Sequence, residues 1–314
     1  MCGAQLGYAR RWSQSRRRAC PVGPQAGPAP SRDAAPSKIV PVPELPEVES
    51  ARAVIERAAL DRRIVDVDDS DTYVCRPHRP GEIRAALVGR RVTVAHRRGK
   101  SMWCETSGVG RSRAPGPTLG IHLGMTGKVV IASSDGSEID GGDYWERGRA
   151  PGDYRFCRFS LIFADGGSLM LIDPRRFGRV RLNPPIEALG PDATRITPAQ
   201  FRAIMARGTA PVKARLLDQN AIAGIGNLLA DQMLWAAKIN PARPVGDLSP
   251  AEVDRLFRAL RRTVDSALQH GGVHTLSLLL ARKIDGACPR DGAPMARGTV
   301  GGRTTWWCSR EQAT

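Results

Sequence analysis

No stretch of this 314-residue chain approaches the roughly 18 to 20 consecutive apolar residues needed to cross a bilayer, so membrane roles are set aside and a soluble protein is expected. Cysteine is equally uninformative as a framework. Cys2, Cys20, Cys75, Cys104, Cys157, Cys288 and Cys308 are odd in number and widely scattered, with no secretory apolar segment ahead of them. That excludes a disulfide-stapled secreted scaffold and predicts free thiols in a reducing compartment. Acidic residues are also scarce: 31 Asp and Glu face 47 Lys and Arg, a net charge of +16. Such an excess predicts a polyanionic partner, most simply nucleic acid, against the bland alternative of arginine inflated by GC-rich coding.

Seven of the basic residues face Asp33 alone within the first 42 positions, so the rest of the chain keeps a net charge of +10. Residues 1–42 are rich in Arg, Pro, Ser, Gly and Ala without an apolar period, and are expected to form a disordered extension. The length predicts about two further domains, and 41% hydrophobic residues suffice for an ordinary core. From Pro46, residues Val48, Ala51, Val54, Ile55, Ala58 and Ala59 recur at helical spacing, with Pro46 and Glu47 suited to a first turn. Short β-branched and apolar runs follow at Ile64–Val67, Val92–Ala95, Ser101–Glu105, Val129–Ala132, Phe159–Phe163 and Leu169–Ile172, the pattern of an antiparallel sandwich or barrel. The glycine- and charge-rich segment Asp135–Asp153 reads as a long surface loop.

Beyond Leu182 the pattern turns helical, at Pro198–Ala206, Val212–Leu217, Asn227–Ala237 and Pro250–Gln269, the last capped by Ser249. The expected fold is therefore α+β: an N-terminal helix and antiparallel β-sandwich over 43–185, a helical domain over 193–281, and a terminal β-hairpin over 282–314.

Six strings, "PELPEVE", "RRGK", "HLGMTG", "DPRRFG", "LLDQNAIAGIGNLLAD" and "GGRTTWWC", occur in this order. Together they resemble the formamidopyrimidine-DNA glycosylase and endonuclease VIII family of base-excision DNA repair, over Pro43 to about Gln312. The resemblance implies a helix–two-turn–helix DNA-binding domain and a bifunctional enzyme. It would remove oxidised bases through an N-terminal proline Schiff base and cleave the strand by β- and then δ-elimination.

In that family the nucleophile is the amino-terminal proline, which implies Pro43 here. A terminal proline is a secondary amine whose attack on a sugar C1′ yields a permanently cationic iminium, and a chain amine titrates near 7.7 to 8.0, leaving a useful neutral fraction. An internal proline has only an amide nitrogen and cannot do this. Two routes would free Pro43: translation starting at Val42 with removal of the initiator, or cleavage of an Arg- and Ser-rich organelle-transit segment. The first implies a cytoplasmic bacterial enzyme, the second a mitochondrial one.

Glu44 would be the general acid/base, with Glu47 organising the same terminus; on spacing alone both are helix-dipole partners. Lys100 matches the lysine that contacts phosphate and assists elimination. Met125, Arg175 and Phe177 match the trio that fills the gap left by a flipped nucleotide, although hydrophobicity alone would put Met125 and Phe177 in a core. "GIGN" ahead of a helix offers a phosphate site, where Lys213 and Asn227 would grip the backbone. Leu229 and Gln232 depart from the family's frequent tyrosine and glutamate.

The terminal hairpin departs furthest. Cys288, Asp291, Cys308 and Glu311 stand where the family usually has four zinc cysteines. Structural zinc prefers thiolate and imidazole, so a zincless finger packed by Trp306 and Trp307 is expected, with structural zinc the alternative. Arg303 would hold phosphate at the lesion in either case. The stretch Val273–Ala287 is shorter than the one carrying a loop over 8-oxoguanine in many members, which implies a shift towards oxidised pyrimidines or abasic sites. The implied partner is double-stranded DNA with oxidised bases or abasic sites, bound by a monomer without any cofactor for the chemistry. A non-catalytic DNA-binding module, with Pro43 capped, is the rival from another class.

Overall fold

The computed structural model describes residues 42–110, 114–142, 150–206 and 208–313, so the basic extension up to Pro41 lies outside the described residues. Helix α1 (Leu45–Ala58) starts where Pro46 sets φ and the Glu47 carboxylate accepts the Glu44 backbone N–H at 2.9 Å. Its apolar stripe divides. Val48, Ala51, Val54 and Ile55 enter the core of the β part, while Leu45 is fully buried in the core of the helical part. One helix thus ties both cores at its first turn.

Two antiparallel sheets follow. The larger has β1 (Ile64–Asp68), β5 (Lys128–Ala132), β6 (Glu138–Gly142), β7 (Cys157–Phe163) and β8 (Ser168–Ile172) in the order β1-β7-β8-β5-β6. The smaller has β2 (Val92–Arg98), β3 (Ser101–Thr106), β4 (Leu119–His122) and β9 (Arg179–Leu182), in the order β2-β3-β4-β9. A short helix, α2 (Glu82–Leu87), packs Ile83 and Leu87 into the shared β core.

Strand β6 corrects the expectation of a loop from Asp135 to Asp153. Ile139 and Gly141 pair with Ile131 and Val129, and the glycines that read as loop signals have a packing reason. A Cβ on Gly141 would stand 2.6 Å from the Ser50 carbonyl of α1, so glycine is what lets the helix lie on this strand.

The helical part comprises α3 (Pro198–Met205), α4 (Val212–Leu217), α5 (Asn227–Ala237) and α6 (Pro250–Gln269). Thr197 and Ser249 cap α3 and α6, each accepting a backbone N–H three residues on, at 3.2 and 3.3 Å. Along α6, Val253, Leu256, Leu260, Val264 and Ala267 recur on one face and are buried against α5 and α3. The hairpin of β10 (Met295–Val300) and β11 (Arg303–Cys308) closes the chain, its core built from Leu278, Met295, Trp306 and the two thiols Cys288 and Cys308. Trp306 is buried and Trp307 half-buried, so the first carries most of the packing assigned to the pair.

Gly141→Ala is expected to destabilise the protein by about 1–3 kcal/mol through overpacking against the α1 backbone, read as a lower denaturant midpoint at unchanged m-value.

Candidate active site

Three chain segments distant in sequence converge on Glu44. Its side chain is 2% exposed, and its carboxylate accepts three backbone N–H groups at the start of α5: Leu228 at 2.7 Å, Gly226 at 3.0 Å and Leu229 at 3.1 Å. A side chain at Gly226 would collide with Glu44, so glycine is needed there for the approach. The helix N-terminus that "GIGN" offered to a phosphate is therefore already taken by an internal carboxylate, because its orphan donors and dipole favour any anion brought close.

Burial raises the pKa of Glu44 above the ordinary carboxylate range, against the lowering influence of Lys100 and the three N–H bonds. Burial also pushes Glu47 up, to about 7, opposed by N–H bonds from Val273 and Glu44 and reinforced by the Glu44 charge. The Val273 N–H reaches the Glu47 carboxylate at 2.7 Å, which ties the stretch after α6 to the start of α1. Pro43, immediately ahead of Glu44, is buried.

Lys100 arrives on the two-residue turn between β2 and β3. Gly99 adopts φ +60 there, and a Cβ on it would stand 2.6 Å from the Gly224 nitrogen. Asp192 accepts the Gly99 N–H and an Arg97 N–H, both at 2.6 Å, and pins the turn to the helical part. Lys100 Nζ then donates to the Ile225 carbonyl at 2.9 Å. Burial lowers its pKa; Glu44 and Glu47 oppose that, and Arg303 adds to it. Lys100 thus lies within the field of the three other charged groups. Arg303 itself is exposed at the start of β11, beside the Gly301–Gly302 turn.

Met125 and Phe177 are 37% and 46% exposed, which rules out the core packing their hydrophobicity would favour. The buried Asp173 carboxylate shapes their loops by accepting the Thr126 hydroxyl at 2.7 Å, the Gly178 N–H at 2.6 Å and the Arg175 N–H at 3.2 Å. Gly124 lies so close to Phe177 that a Cβ would stand 2.6 Å from its carbonyl oxygen, so the two loops touch. Arg175 is exposed beside them, while Arg176 is held by Asp71 at 2.8 Å.

Lys213 corrects the expectation of a phosphate grip. It is fully buried, with Nζ 2.6 Å from Asp231 and 2.7 Å from the Thr305 hydroxyl. Arg282, 7% exposed, meets the other Asp231 oxygen at 3.0 Å. Asp231 also accepts the Trp306 N–H at 3.3 Å, and the Asn227 side chain donates to the Thr304 carbonyl at 3.0 Å. Lys213 and Asn227 therefore hold β11, the strand that begins with Arg303. Of these partners Asp231 and Arg282 went unnoticed in the sequence, since no local spacing marks a contact across 51 residues. At position 232 the glutamine hydrogen-bonds the Leu278 N–H at 2.9 Å and Ser277 at 3.1 Å.

In the finger, Cys288, Asp291 and Cys308 offer donor atoms within 4.8 Å of one another, a group that could hold a metal ion. Glu311 does not complete it. Its carboxylate pairs with Lys238 at 2.6 Å and with Arg290, and Arg290 stacks on Trp235 at 4.3 Å. Trp235 Nε1 donates to the Cys288 sulfur at 3.3 Å, and the Cys308 thiol faces Asp291 at 3.5 Å. A closed tetrahedral site of the four expected residues does not fit this arrangement.

The chain matches the model of the formamidopyrimidine-DNA glycosylase N-terminal domain over residues 42–180 and that of the family's H2TH domain over residues 188–277. A formamidopyrimidine-DNA glycosylase of Chloroflexus aurantiacus is 30% identical over 295 residues, covering 87% of this chain and 98% of the relative. One from Arabidopsis thaliana is 31% identical, covering 73% of this chain and 58% of its own. Among solved structures, Lactococcus lactis Fpg bound to oxidised-pyrimidine DNA matches with TM-score 0.70 and 25% identity, over 87% of this chain and all of the other. The same enzyme bound non-covalently to abasic-site DNA matches with TM-score 0.69 and 26% identity, over 86% of this chain and all of the other. The chain belongs to the formamidopyrimidine-DNA glycosylase family, whose members are DNA glycosylases.

Two measurements check these assignments. Lys213→Met should lower stability by up to about 3–5 kcal/mol, because it leaves the buried Asp231 with Arg282 as its remaining cation and the Thr305 hydroxyl without its donor, whereas loss of a mere phosphate contact would leave unfolding unchanged. The purified protein should carry well under one zinc per chain by elemental analysis, and a chelator should leave its melting temperature unmoved.

Proposed function

We propose that the chain beginning at Pro43 is a bifunctional enzyme, a DNA glycosylase and abasic-site lyase acting on duplex DNA with oxidised bases or abasic sites. The observation that carries this reading is the buried Glu44 carboxyl, raised in pKa, next to Pro43 and within the field of Lys100. A general acid needs affinity for a proton and a place beside the reacting atom; burial raises the proton affinity of Glu44 and adjacency to Pro43 gives it the place.

In the proposed reaction the free Pro43 nitrogen attacks C1′ and the bond to the damaged base breaks, the base leaving with the proton that the Pro43 nitrogen sheds. Glu44 gives its proton to the ring oxygen O4′ as the sugar opens, leaving an iminium between Pro43 and C1′. The cationic iminium acidifies the C2′–H. A base removes that proton, and the 3′ phosphate departs in β-elimination. A second elimination releases the 5′ phosphate, and addition of water to the iminium carbon frees Pro43 and leaves the sugar remnant as an aldehyde.

Met125, Arg175 and Phe177 would fill the gap left by the extruded nucleotide, and Arg303 and Lys100 would hold the phosphates beside it. The solved relatives from Lactococcus lactis, bound to abasic-site and oxidised-pyrimidine DNA, support this substrate class. The proposed division is 43–185 for the catalytic β part, 193–281 for the DNA-binding helices and 282–314 for the finger. The short stretch from Val273 to Ala287 supports a preference for oxidised pyrimidines or abasic sites over 8-oxoguanine.

In the 314-residue sequence the Pro43 nitrogen is an amide with Val42, which favours a second reading for that form, a DNA-binding protein without lyase activity. Borohydride trapping on a duplex with one abasic site separates the two. A covalent adduct is expected from the chain starting at Pro43 and none from the full chain; binding without an adduct from the shortened chain would overturn the enzymatic reading. Glu44→Gln in the shortened chain should slow base excision by about 10²- to 10⁴-fold. The wild-type rate should fall as pH rises through the elevated pKa of Glu44, since only the protonated carboxyl can donate.

A further inference from the structure

Among the described residues several arginines are held by carboxylates: Arg62 by Asp165, Arg97 by Asp192, Arg176 by Asp71, Arg202 by Asp254 and Arg243 by Glu252. Arg179 and Arg181 are not. Among the described residues neither has an acidic partner: Arg179 donates to the Gly178 carbonyl at 2.6 Å and lies 4.9 Å over the Tyr73 ring, and the Arg181 side chain makes no hydrogen bond or ion pair.

Both stand on β9 two residues apart, so they project from the same face of the four-stranded sheet. The register places Arg179 opposite His122 and Arg181 opposite Gly120 on β4. Together they line an open cavity of about 340 Å³. Its floor is Gly120, where a Cβ would stand 2.7 Å from the Pro184 ring, so the depression depends on glycine at that position. Its far wall is Pro184–Ile186, held by Arg98 donating to the Ile186 carbonyl at 3.3 Å. Its near wall is Phe177, the exposed aromatic of the loop that touches Met125.

From this arrangement we infer that the Arg179–Arg181 cavity is a second DNA-backbone site, binding phosphates of the strand that runs past Phe177 and outside the lesion pocket itself. Two unpaired guanidiniums, each a planar fork matched to phosphate oxygens, face one concavity. Residues i and i+2 of a strand stand roughly 6.5 Å apart, on the scale that separates neighbouring phosphates of one nucleic-acid strand. A free nucleotide or inorganic phosphate would share the chemistry, but continuity of the cavity with Phe177 favours polymeric DNA. The inference rests on the proposed function and extends its DNA footprint.

The test uses the chain starting at Pro43, a duplex of about 20 base pairs with a stable abasic analogue, and binding isotherms over a salt series. Each phosphate contact contributes about 0.9 to the slope of log K against log salt, so Arg179→Ala/Arg181→Ala should reduce the slope by about 2. The equally discharged Arg57→Ala/Arg258→Ala, both exposed and on helices away from this cavity, should leave it unchanged. Arg179→Lys/Arg181→Lys, which keeps the charge but loses the fork, should retain most of the slope and guards against a variant that misfolds. Single methylphosphonates placed along each strand should weaken the wild type at one or two positions near the abasic analogue, and should have no further effect on the double alanine variant.

An unchanged slope, or methylphosphonate effects identical in wild type and variant, overturns the site. Saturable binding of inorganic pyrophosphate lost in the variant, with the DNA slope unchanged, would assign the cavity to a free anion and overturn it too. Failure of the wild type to prefer the abasic duplex over an undamaged one would sink the proposed function itself, a result distinct from either.

Discussion

The Glu44 carboxylate at the head of α5 is the contact on which the geometry of this molecule depends. A helix N-terminus leaves backbone donors without partners, and in most proteins a local side chain or water satisfies them. Here the acceptor comes from 182 residues earlier in the chain, from the turn that starts α1. The same turn sends Leu45 into the helical core and Val48 into the β core. Cap, staple and candidate acid are thus one structural unit. Because an anion buried this far from water is costly, its proton affinity rises, and the feature that joins the two parts also tunes a carboxyl for proton transfer.

Charge is distributed with a consistent logic around this point. Asp231 gathers Lys213 and Arg282 in the interior and fixes β11, which delivers Arg303 to the surface. Asp192 gathers Arg97 and the Gly99 N–H and fixes the turn that delivers Lys100. Asp173 organises the loops of Met125 and Phe177. Arg303, Lys100, Met125 and Phe177 are thus each carried by a backbone segment that a buried aspartate holds in place. Rigidity of this kind matters because a phosphate or wedge contact displaced by an ångström loses much of its effect.

The finger illustrates how a hairpin can keep its position without four thiolates. Its core is formed by Trp306, Met295 and two thiols, and the outer carboxylate, Glu311, turns to Lys238 at the end of α5 and to Arg290 within the finger itself. A half-exposed ion pair of this sort adds little stability by itself, and the indole under Arg290 adds a second restraint on the same side chain.

The residues determined more of this protein in sequence order than in space. Helical periods placed α4, α5 and α6 at their ends, since capping serine, proline and apolar spacing are local signals. Six short strings were enough to identify the family, and with it the identities of the candidate site residues. What the sequence could not reveal is which partner each of those residues meets. The resemblance assigned Lys213 to the DNA backbone; its counter-charge, Asp231, lies 18 positions on, across a helix packing that only the folded core creates. Gly141 read as loop because glycine is a turn residue until a helix lies against it. Local chemistry therefore set the elements and their residue types, while burial and long-range pairing, which arise only when the two cores close around α1, decided which charges stay inside and which face a ligand.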